Sequence, residues 1–158
     1  MALKKCTCPH IKPEDWEGKE FDWENKTFYF LPINCILYKP QGLQDKIRQL
    51  RKEIIEKNYE FTDFIPVLCE WAAFKGRLMV QIENPQKYDA NIYVFDMGKI
   101  FSTVFQGPSK KFKQAVKDFA GQVELEHGIP PQSILVWYVH CPVCAKEKNN
   151  MAVIFVKT

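Results

Sequence analysis

The stretch from Asn91 to Thr158 most constrains the fold, because it holds one complete strand-helix-strand-strand pattern. Asn91 to Phe105 is rich in β-branched and aromatic residues, which suit a half-buried strand. A turn at Gly107-Pro108 follows, and the next apolar residues recur at three- and four-residue steps, which predicts an amphipathic helix. Two further strands are predicted, from Ile134 to Cys141 and from Met151 to Lys157. The apolar stripe of the helix consists of Phe112, Ala115, Val116, Phe119 and Val123.

The first half of the chain repeats this order of elements. Thr27 to Tyr38 is predicted to be a strand, in which Pro32 marks an edge or a bulge because proline cannot donate to a ladder. Leu43 to Asn58 carries a helical apolar stripe, and two short strands follow, Val67 to Ala72 and Leu78 to Glu83. The order of elements therefore predicts an α+β fold made of two tandem strand-helix-strand-strand units.

The domain organisation follows from this order. Residues 28–158 are predicted to form one domain, with repeat one at about residues 28–84 and repeat two at about residues 90–158. Residues 1–27 show no sustained period and are predicted to form an irregular N-terminal arm. Because aromatic rings are costly to leave in water, we expect this arm to be tethered to the domain by Trp16, Phe21 and Trp23.

Composition narrows the class of protein. The 158 residues carry a formal net charge of +3, which is too small and too evenly spread to predict nucleic-acid binding. No apolar run approaches the length of a membrane span, and the first residues do not lead into the apolar stretch of a secretory signal. The sequence therefore predicts a soluble cytoplasmic protein with reduced cysteines. Cys35 and Cys69 lie within predicted strands and are expected to be buried and unreactive.

Four other cysteines have spacings that fit a metal site. Cys141 and Cys144 are separated by two residues, which lets both thiolates reach one tetrahedral metal, and Cys6 and Cys8 could supply two more sulfur ligands. A structural zinc there would fix the arm to the loop between the last two strands. The alternatives are a thiol-disulfide pair and unliganded cysteines. Substitute ligands are His10 and His140.

Glu70, beside Trp71, is the first candidate for chemistry. A carboxylate within a predicted buried strand must be paired, hydrogen-bonded or reserved for a cationic guest. It could act as a general base for water attack or as the counter-ion of a lipophilic cation. The alternative is that Glu70 faces solvent or pairs with Lys75 or Arg77.

Trp137 and Tyr138 are the second candidate, because they lie in the middle of a predicted strand whose successive residues face opposite sides. One of the two must face inward, where a tryptophan could stack on a flat ligand and a tyrosine hydroxyl could orient water beside Glu70. Plain core packing is the alternative. The same two possibilities apply to Tyr29, Phe30, Tyr93 and Phe95.

With its two tandem units and the turn at Gln106-Gly107-Pro108, the chain resembles the GyrI-like small-molecule-binding family over roughly residues 27–158. The segment from Cys8 to Glu20 and the closing Cys141-Pro142-Val143-Cys144-Ala145-Lys146 look like a stand-alone bacterial and archaeal branch, which is often labelled hydrolase. The resemblance implies two curved half-sheets related by pseudo-twofold symmetry, with outer helices and a central aromatic-lined cleft that holds a buried acid. It also implies bulky cationic aromatic ligands. The chain departs from related regulators in having no helix-turn-helix segment before its first strand, so we expect it to bind a ligand without reading DNA.

We interpret the chain as a small-molecule-binding protein for bulky aromatic, cationic ligands, needing no cofactor and acting as a monomer or homodimer. The alternative is a hydrolase of strained or activated electrophiles, in which Glu70 is the base and Tyr138 orients water. A third possibility is a protein-binding module that uses an exposed sheet edge. The expected ligand-binding residues are Glu70, Trp71, Tyr29, Phe30, Tyr93, Phe95, Trp137 and Tyr138.

Overall fold

The structure of the protein is a computed structural model, which describes residues 11–61, 66–85, 88–139 and 150–158. Its two α-helices are α1 (Leu43–Glu56) and α2 (Phe112–His127). Neither helix in these ranges combines the length and the apolar character that a membrane crossing needs. The strands are β1 (Lys19–Asp22), β2 (Thr27–Ile36), β3 (Lys39–Pro40), β4 (Glu60–Phe61), β5 (Leu68–Glu70), β6 (Lys75–Glu83), β7 (Ile92–Val94), β8 (Lys99–Phe105), β9 (Ser133–Tyr138) and β10 (Ala152–Lys157).

The described strands form one antiparallel sheet with the order β1-β8-β10-β9-β5-β6-β2-β3, while β4 pairs with β6 and β7 pairs with β2. The predicted α+β class is thus confirmed. The two halves meet where β5 pairs with β9, with Cys69 opposite Val136 and Glu70 opposite Leu135. We call this pairing the seam. On either side of it the strands run in the order second, third and first of each predicted unit.

The sheet has two faces, and both helices pack on the same one, which we call the helix face. Leu50 and Ile54 of α1 are fully buried against side chains of β2 and β6. Val116 and Val123 of α2 are buried against side chains of β8 and β10. Because successive strand residues point to opposite faces, the remaining apolar side chains of these strands form a second cluster on the other face.

The N-terminal arm covers that second face, which we call the arm face. Trp16 packs edge-on against Trp137 with ring centroids 5.4 Å apart, and Trp23 packs against Phe95 with centroids 5.6 Å apart. These contacts agree with the expected tethering of the arm by its aromatic rings. The prediction that the arm is irregular is wrong at residues 19–22, because β1 pairs with the outer edge of β8.

The predicted strand from Asn91 to Phe105 is in fact two strands, because the chain breaks between β7 and β8. Gly98 lies in this break with φ 148°, and a Cβ atom there would collide with the carbonyl oxygen of Thr158. β7 then pairs with β2, whereas β8 pairs with β1 and β10. The segment therefore joins opposite ends of the sheet instead of forming one ladder.

Pro32 is at an outer edge of β2, as the sequence predicted. The N–H of Phe30 donates to the carbonyl of Asn91, on the side of β2 away from β6, and alternate residues of a strand share this direction. The N–H that Pro32 lacks would therefore point away from β6. The predicted helix ends are also present, since Asn58 and Gly128 both adopt left-handed backbone angles, with φ 59° and 69°.

Candidate functional site

A cavity of about 310 Å³ opens on the helix face, between the start of α2 and the β2–β3 hairpin. Residues from both halves of the sheet line it. The hairpin contributes its wall from the first half, and β8, α2, β9 and β10 contribute the wall from the second. The lining residues are Lys39, Pro40, Phe105, Ser109, Phe112, Tyr138, Asn150 and Ala152.

Phe112, the first residue of α2, is at the centre of an aromatic group around this cavity. Its ring lies 5.4 Å from that of Trp71 and 5.1 Å from that of Phe105, in edge-to-face arrangements. The ring of Tyr138 is 6.0 Å away, and Tyr38 stacks on the far side of Trp71. Rings at these spacings interact favourably and form an apolar wall suited to a flat ligand.

The β2–β3 hairpin reaches the cavity through a strained turn. Ile36 is opposite Lys39, so the loop consists of Leu37 and Tyr38 alone. Both have positive φ angles, 47° and 70°, which a two-residue turn of this type requires but which Asn and Gly adopt much more readily. Strain of this kind occurs most often at functional sites, and here it places Tyr38 and Lys39 beside the cavity.

Tyr138 presents a polar group to this apolar wall. Burial raises the pKa of Tyr138 above its ordinary value, with further contributions from Cys69 and Cys35, so the hydroxyl stays protonated at neutral pH. Among the described residues its hydroxyl has no hydrogen-bond partner. A largely buried hydroxyl without a protein partner costs free energy, and a bound polar group or a water would remove that cost.

The structure separates the predicted ligand-binding residues into two groups on opposite faces of the sheet. Trp71, Tyr138 and Tyr29 lie on the helix face, whereas the other predicted residues lie on the arm face. Glu70 is opposite Leu135, a member of the arm-face cluster, so its side chain points to that face. Glu70 and Tyr138 are therefore not brought together. The arm-face residues are Glu70, Phe30, Tyr93, Phe95 and Trp137.

Glu70 is paired with a positive charge, which is one of the alternatives left open by the sequence. Arg77 donates from Nε to Oε2 of Glu70 at 2.8 Å, and its guanidinium lies 4.5 Å from the ring centroid of Tyr93. Both side chains are partly exposed, at 26% for Glu70 and 34% for Arg77. The carboxylate is thus not among the described residues that line the cavity.

Three of the predicted aromatic residues are in the core in this structure. Phe95 and Trp137 are buried beneath the aromatic rings of the arm. Tyr29 is fully buried under α1, where its hydroxyl donates to Oε1 of Glu53 at 3.0 Å. Core packing was the alternative for each of them, and it describes their environment here.

Two of the six cysteines lie in the core, and the other four lie outside the residues that the structure describes. Cys35 and Cys69 are buried, as predicted, and burial raises the pKa of the Cys69 thiol to about 12. A protonated, buried thiol is a poor nucleophile and a poor metal ligand. The zinc prediction stays a prediction, because its ligands lie outside the described residues: Cys6, Cys8, Cys141, Cys144, His10 and His140.

Several residues around the cavity were not recognised from the sequence. Phe112 was assigned only to the apolar stripe of a helix, and Phe105 only to a strand. Tyr38 was placed at the end of a predicted strand, because the Leu37-Tyr38 turn lacks the Asn or Gly that marks such turns. The Gly107-Pro108 turn was the available signal, since it determines where Phe112 begins α2.

Fold and site together define an α+β protein whose antiparallel sheet holds an aromatic cavity on its helix face. A family model described as "Bacterial hydrolase" matches residues 2–158, and the chain belongs to this family. Membership of the GyrI-like family, which the sequence suggested, stays a prediction.

Solved structures share this fold at low sequence identity. The EcmrR C-terminal domain gives a TM-score of 0.67 at 11% identity, covering 90% of this chain and 96% of that domain. An uncharacterized conserved protein from Listeria innocua gives a TM-score of 0.58 at 11% identity, covering 89% of this chain and 91% of its own. A hydrolase encoded by lin2189 from Listeria innocua gives 0.55 at 10% identity, covering 89% and 90%. Comparison with curated protein sequences gives no significant match.

Proposed function

We propose that this protein binds aromatic small molecules in the cavity between the start of α2 and the β2–β3 hairpin. The observation that carries the proposal is a cavity of about 310 Å³ walled by Phe105, Phe112 and Tyr138. A volume of this size is at the lower end of the range for small-molecule sites. Burying about 100 Å² of apolar ligand surface there would contribute about 2.5 kcal/mol.

Two further features support a binding role. The hydroxyl of Tyr138, which has no hydrogen-bond partner among the described residues, offers one directional hydrogen bond beside the rings of Phe105 and Phe112. The strained Leu37-Tyr38 turn holds one side of the cavity in place, which suits a site organised before the ligand arrives. Small-molecule binding is also what the resemblance to the GyrI-like family implies.

The proposal includes the two-unit organisation predicted from the sequence. A pair of strand-helix-strand-strand units related by a twofold axis would place like strands at equal distances from the seam, which is the order found in the sheet. The cavity would then lie near the axis, with a wall from each unit. Duplication of one ancestral unit remains our interpretation of this order.

The expected preference for cationic ligands depended on Glu70 being a buried carboxylate in the aromatic-lined cleft. Glu70 is on the arm face and is bonded to Arg77, so it does not supply a negative charge to the cavity described here. The proposal therefore does not use Glu70, and the charge of the ligand is a separate question.

The alternative function is hydrolysis of strained or activated electrophiles, which the name of the family favours. The pair first considered for it, Glu70 as base and Tyr138 as the group that orients water, lies on opposite faces of the sheet. General base catalysis needs both groups within hydrogen-bond reach of one water. We therefore propose binding as the function and keep turnover as an outcome to be measured.

Titration with a neutral fluorescent probe tests the proposal. We expect N-phenyl-1-naphthylamine to gain fluorescence saturably with the wild-type protein, and Phe112→Ala to weaken its binding about tenfold. Phe74→Ala is the matched control, because this phenylalanine is 74% exposed and is not among the cavity-lining residues. Tyr138→Phe keeps the shape of the wall and removes only the hydroxyl, so it distinguishes the contribution of the hydroxyl to probe affinity from that of the ring.

The result against the proposal would be equal probe affinity in the wild type, Phe112→Ala and Phe74→Ala, with all three proteins folded by circular dichroism. Absence of saturable binding to the wild type would count against it equally. Release of product from an activated ester or epoxide, lost in Tyr138→Phe, would instead assign a hydrolase to this cavity.

A further inference from the structure

The cavity has an unusual concentration of positive charge on one side, where α2 begins. The first turn of α2 contains no acidic residue, and no side chain caps its N-terminus. The residues there are instead Lys110, Lys111 and Lys113. A helix N-terminus carries a partial positive charge and is stabilised by anions, so lysines at this position are electrostatically unfavourable unless an anion joins them.

The opposite wall adds to this charge. Lys39 lines the cavity, and the ammonium of Lys113 lies 5.2 Å from the ring centroid of Tyr38, the neighbour of Lys39. Lys39 thus lines the cavity from the first half of the sheet, and Lys113 of α2 lies over the ring of the residue next to it. Ser109 and Asn150 supply further polar groups to the lining, and none of the described lining residues is acidic.

Four lysines elsewhere in the described part of the chain are neutralised by a carboxylate. Lys52, Lys57, Lys99 and Lys157 each form an ion pair with a carboxylate. The ion pairs found within the described ranges include no partner for Lys39 or for the lysines at the start of α2. Other described lysines, such as Lys26 and Lys75, also lack an ion pair there, so Lys39 and Lys113 are distinguished by their position at or near the aromatic cavity.

We infer that the ligand of this cavity is an aromatic anion, whose rings contact Phe112 and Tyr138 and whose carboxylate, sulfonate or phosphate lies between Lys39, Lys113 and the start of α2. This inference rests on the proposed function and adds the charge of the ligand to it. The ligand charge is opposite to the one expected from the sequence, because the acid on which that expectation depended is on the other face. The anion would balance the lysines and the helix N-terminus together.

Two probes that differ only in charge provide the test. N-phenyl-1-naphthylamine is neutral, and 8-anilinonaphthalene-1-sulfonate carries the same rings with one sulfonate. We expect the sulfonate to bind about tenfold more tightly than the neutral probe at low salt, and this advantage to shrink at about 0.5 M salt. The neutral probe should show almost no salt dependence.

Lysine variants locate the effect. Lys39→Gln and Lys113→Gln should each remove several-fold of the sulfonate affinity while leaving the neutral probe within about twofold. Lys26→Gln is the matched control, because Lys26 is an exposed lysine in the turn before β2 and does not line the cavity. Both measurements use the full-length protein.

The possible results separate this inference from the proposed function. Equal affinity for the two probes, or a sulfonate preference that survives both lysine substitutions, overturns the inference while saturable binding of the neutral probe still supports an aromatic site. Stronger displacement of the neutral probe by tetraphenylphosphonium than by tetraphenylborate also overturns it, because these two ions have the same shape and opposite charge. Failure of the neutral probe to bind overturns the proposed function as well.

Discussion

Tyr38 and Trp71 stack on each other, with ring centroids 4.8 Å apart and ring planes inclined by 20°. The stack joins Tyr38, in the strained turn of the β2–β3 hairpin, to Trp71, which follows β5. Phe112 packs edge-on against Trp71. The hairpin is therefore held by an aromatic contact as well as by its short ladder. Because Lys39 follows Tyr38 directly, this contact also fixes one wall of the cavity.

The strain in this hairpin predicts a stabilising substitution. Leu37 is 65% exposed and has a φ of 47°, so its side chain contributes little packing while its backbone is unfavourable. We expect Leu37→Asn to raise the free energy of unfolding by about 1 kcal/mol, since asparagine adopts this conformation readily. Denaturation by guanidinium chloride measures the change. Ile36→Asn is the control, since that strand position should give no gain, and an equal gain there would contradict the explanation.

Asp89 is the centre of a buried network at the end of α1. Its side chain is 7% exposed and accepts hydrogen bonds from Lys57 and from the Tyr59 hydroxyl. Burial alone would raise the pKa of Asp89, but bonds from Tyr59, the N–H of Asn91 and Lys57 outweigh it and hold the pKa below its ordinary value. We expect Asp89→Asn to lower the free energy of unfolding by about 1–3 kcal/mol at pH 7.

The pH dependence of that difference has a defined sign. Because the pKa of Asp89 is lower in the folded than in the unfolded protein, its stabilising contribution is complete above about pH 4 and declines as the pH falls through the folded pKa. The wild type and Asp89→Asn should therefore converge in stability below about pH 4. A gap that stays constant down to pH 2 would show that the carboxylate is not the cause.

A substitution at Glu70 distinguishes a ligand site on the helix face from the site expected from the sequence, which includes Glu70. We expect Glu70→Gln to leave the affinity of the neutral aromatic probe within about twofold of the wild type, because the carboxylate lies on the face opposite the cavity. A double-mutant cycle with Arg77→Gln should give a coupling of about 1 kcal/mol or less, since both partners are partly exposed. A large loss of probe binding in Glu70→Gln would restore the arm face as the ligand site.

Trp23 tests the role of the N-terminal arm. It is 7% exposed and packs against Phe95 and Phe155 with ring centroids 5.6 Å and 5.3 Å apart. We expect Trp23→Ala to lower the free energy of unfolding by about 3–5 kcal/mol, the usual cost of removing a buried tryptophan. Met97→Ala, at a residue that is 76% exposed, should change it by less than about 0.5 kcal/mol. Equal effects of the two would mean that the arm contributes nothing to the core.

The two core thiols should be inert in the folded protein. With a pKa of about 12, Cys69 has about one thiolate in ten thousand at pH 8. We expect iodoacetamide at pH 8 to leave Cys35 and Cys69 unmodified in the native protein and to alkylate both in denaturant, as read by peptide mass mapping. Alkylation of Cys69 under native conditions would contradict its burial.

The sequence was most informative where local periodicity and packing agree. The stripes of α1 and α2 are buried as their spacing predicts, and Gly128 ends α2. β1 was missed because Lys19-Glu20-Phe21-Asp22 holds a single apolar residue, and it becomes a strand only by pairing with β8. An edge strand of this kind has no internal pattern from which to predict it.

The site was harder to predict because its composition depends on register. Glu70 and Trp71 are neighbours in the chain, but strand alternation places them on opposite faces of the sheet. Which face each residue takes is set by the pairing of β5 with β9, a long-range contact that a single sequence does not show. The cavity therefore combines residues that the sequence places in separate contexts, such as Lys39 and Phe112.

The narrowness of the seam has a mechanical consequence. Two residue pairs and one bond from the N–H of Trp71 to the carbonyl of Ile134 join the halves there, which is a small junction for a sheet of this width. A ligand in the cavity would contact residues of both halves and would link them away from the seam. A bound ligand would then oppose separation of the two halves. The melting temperature of the protein would therefore rise when the cavity is occupied.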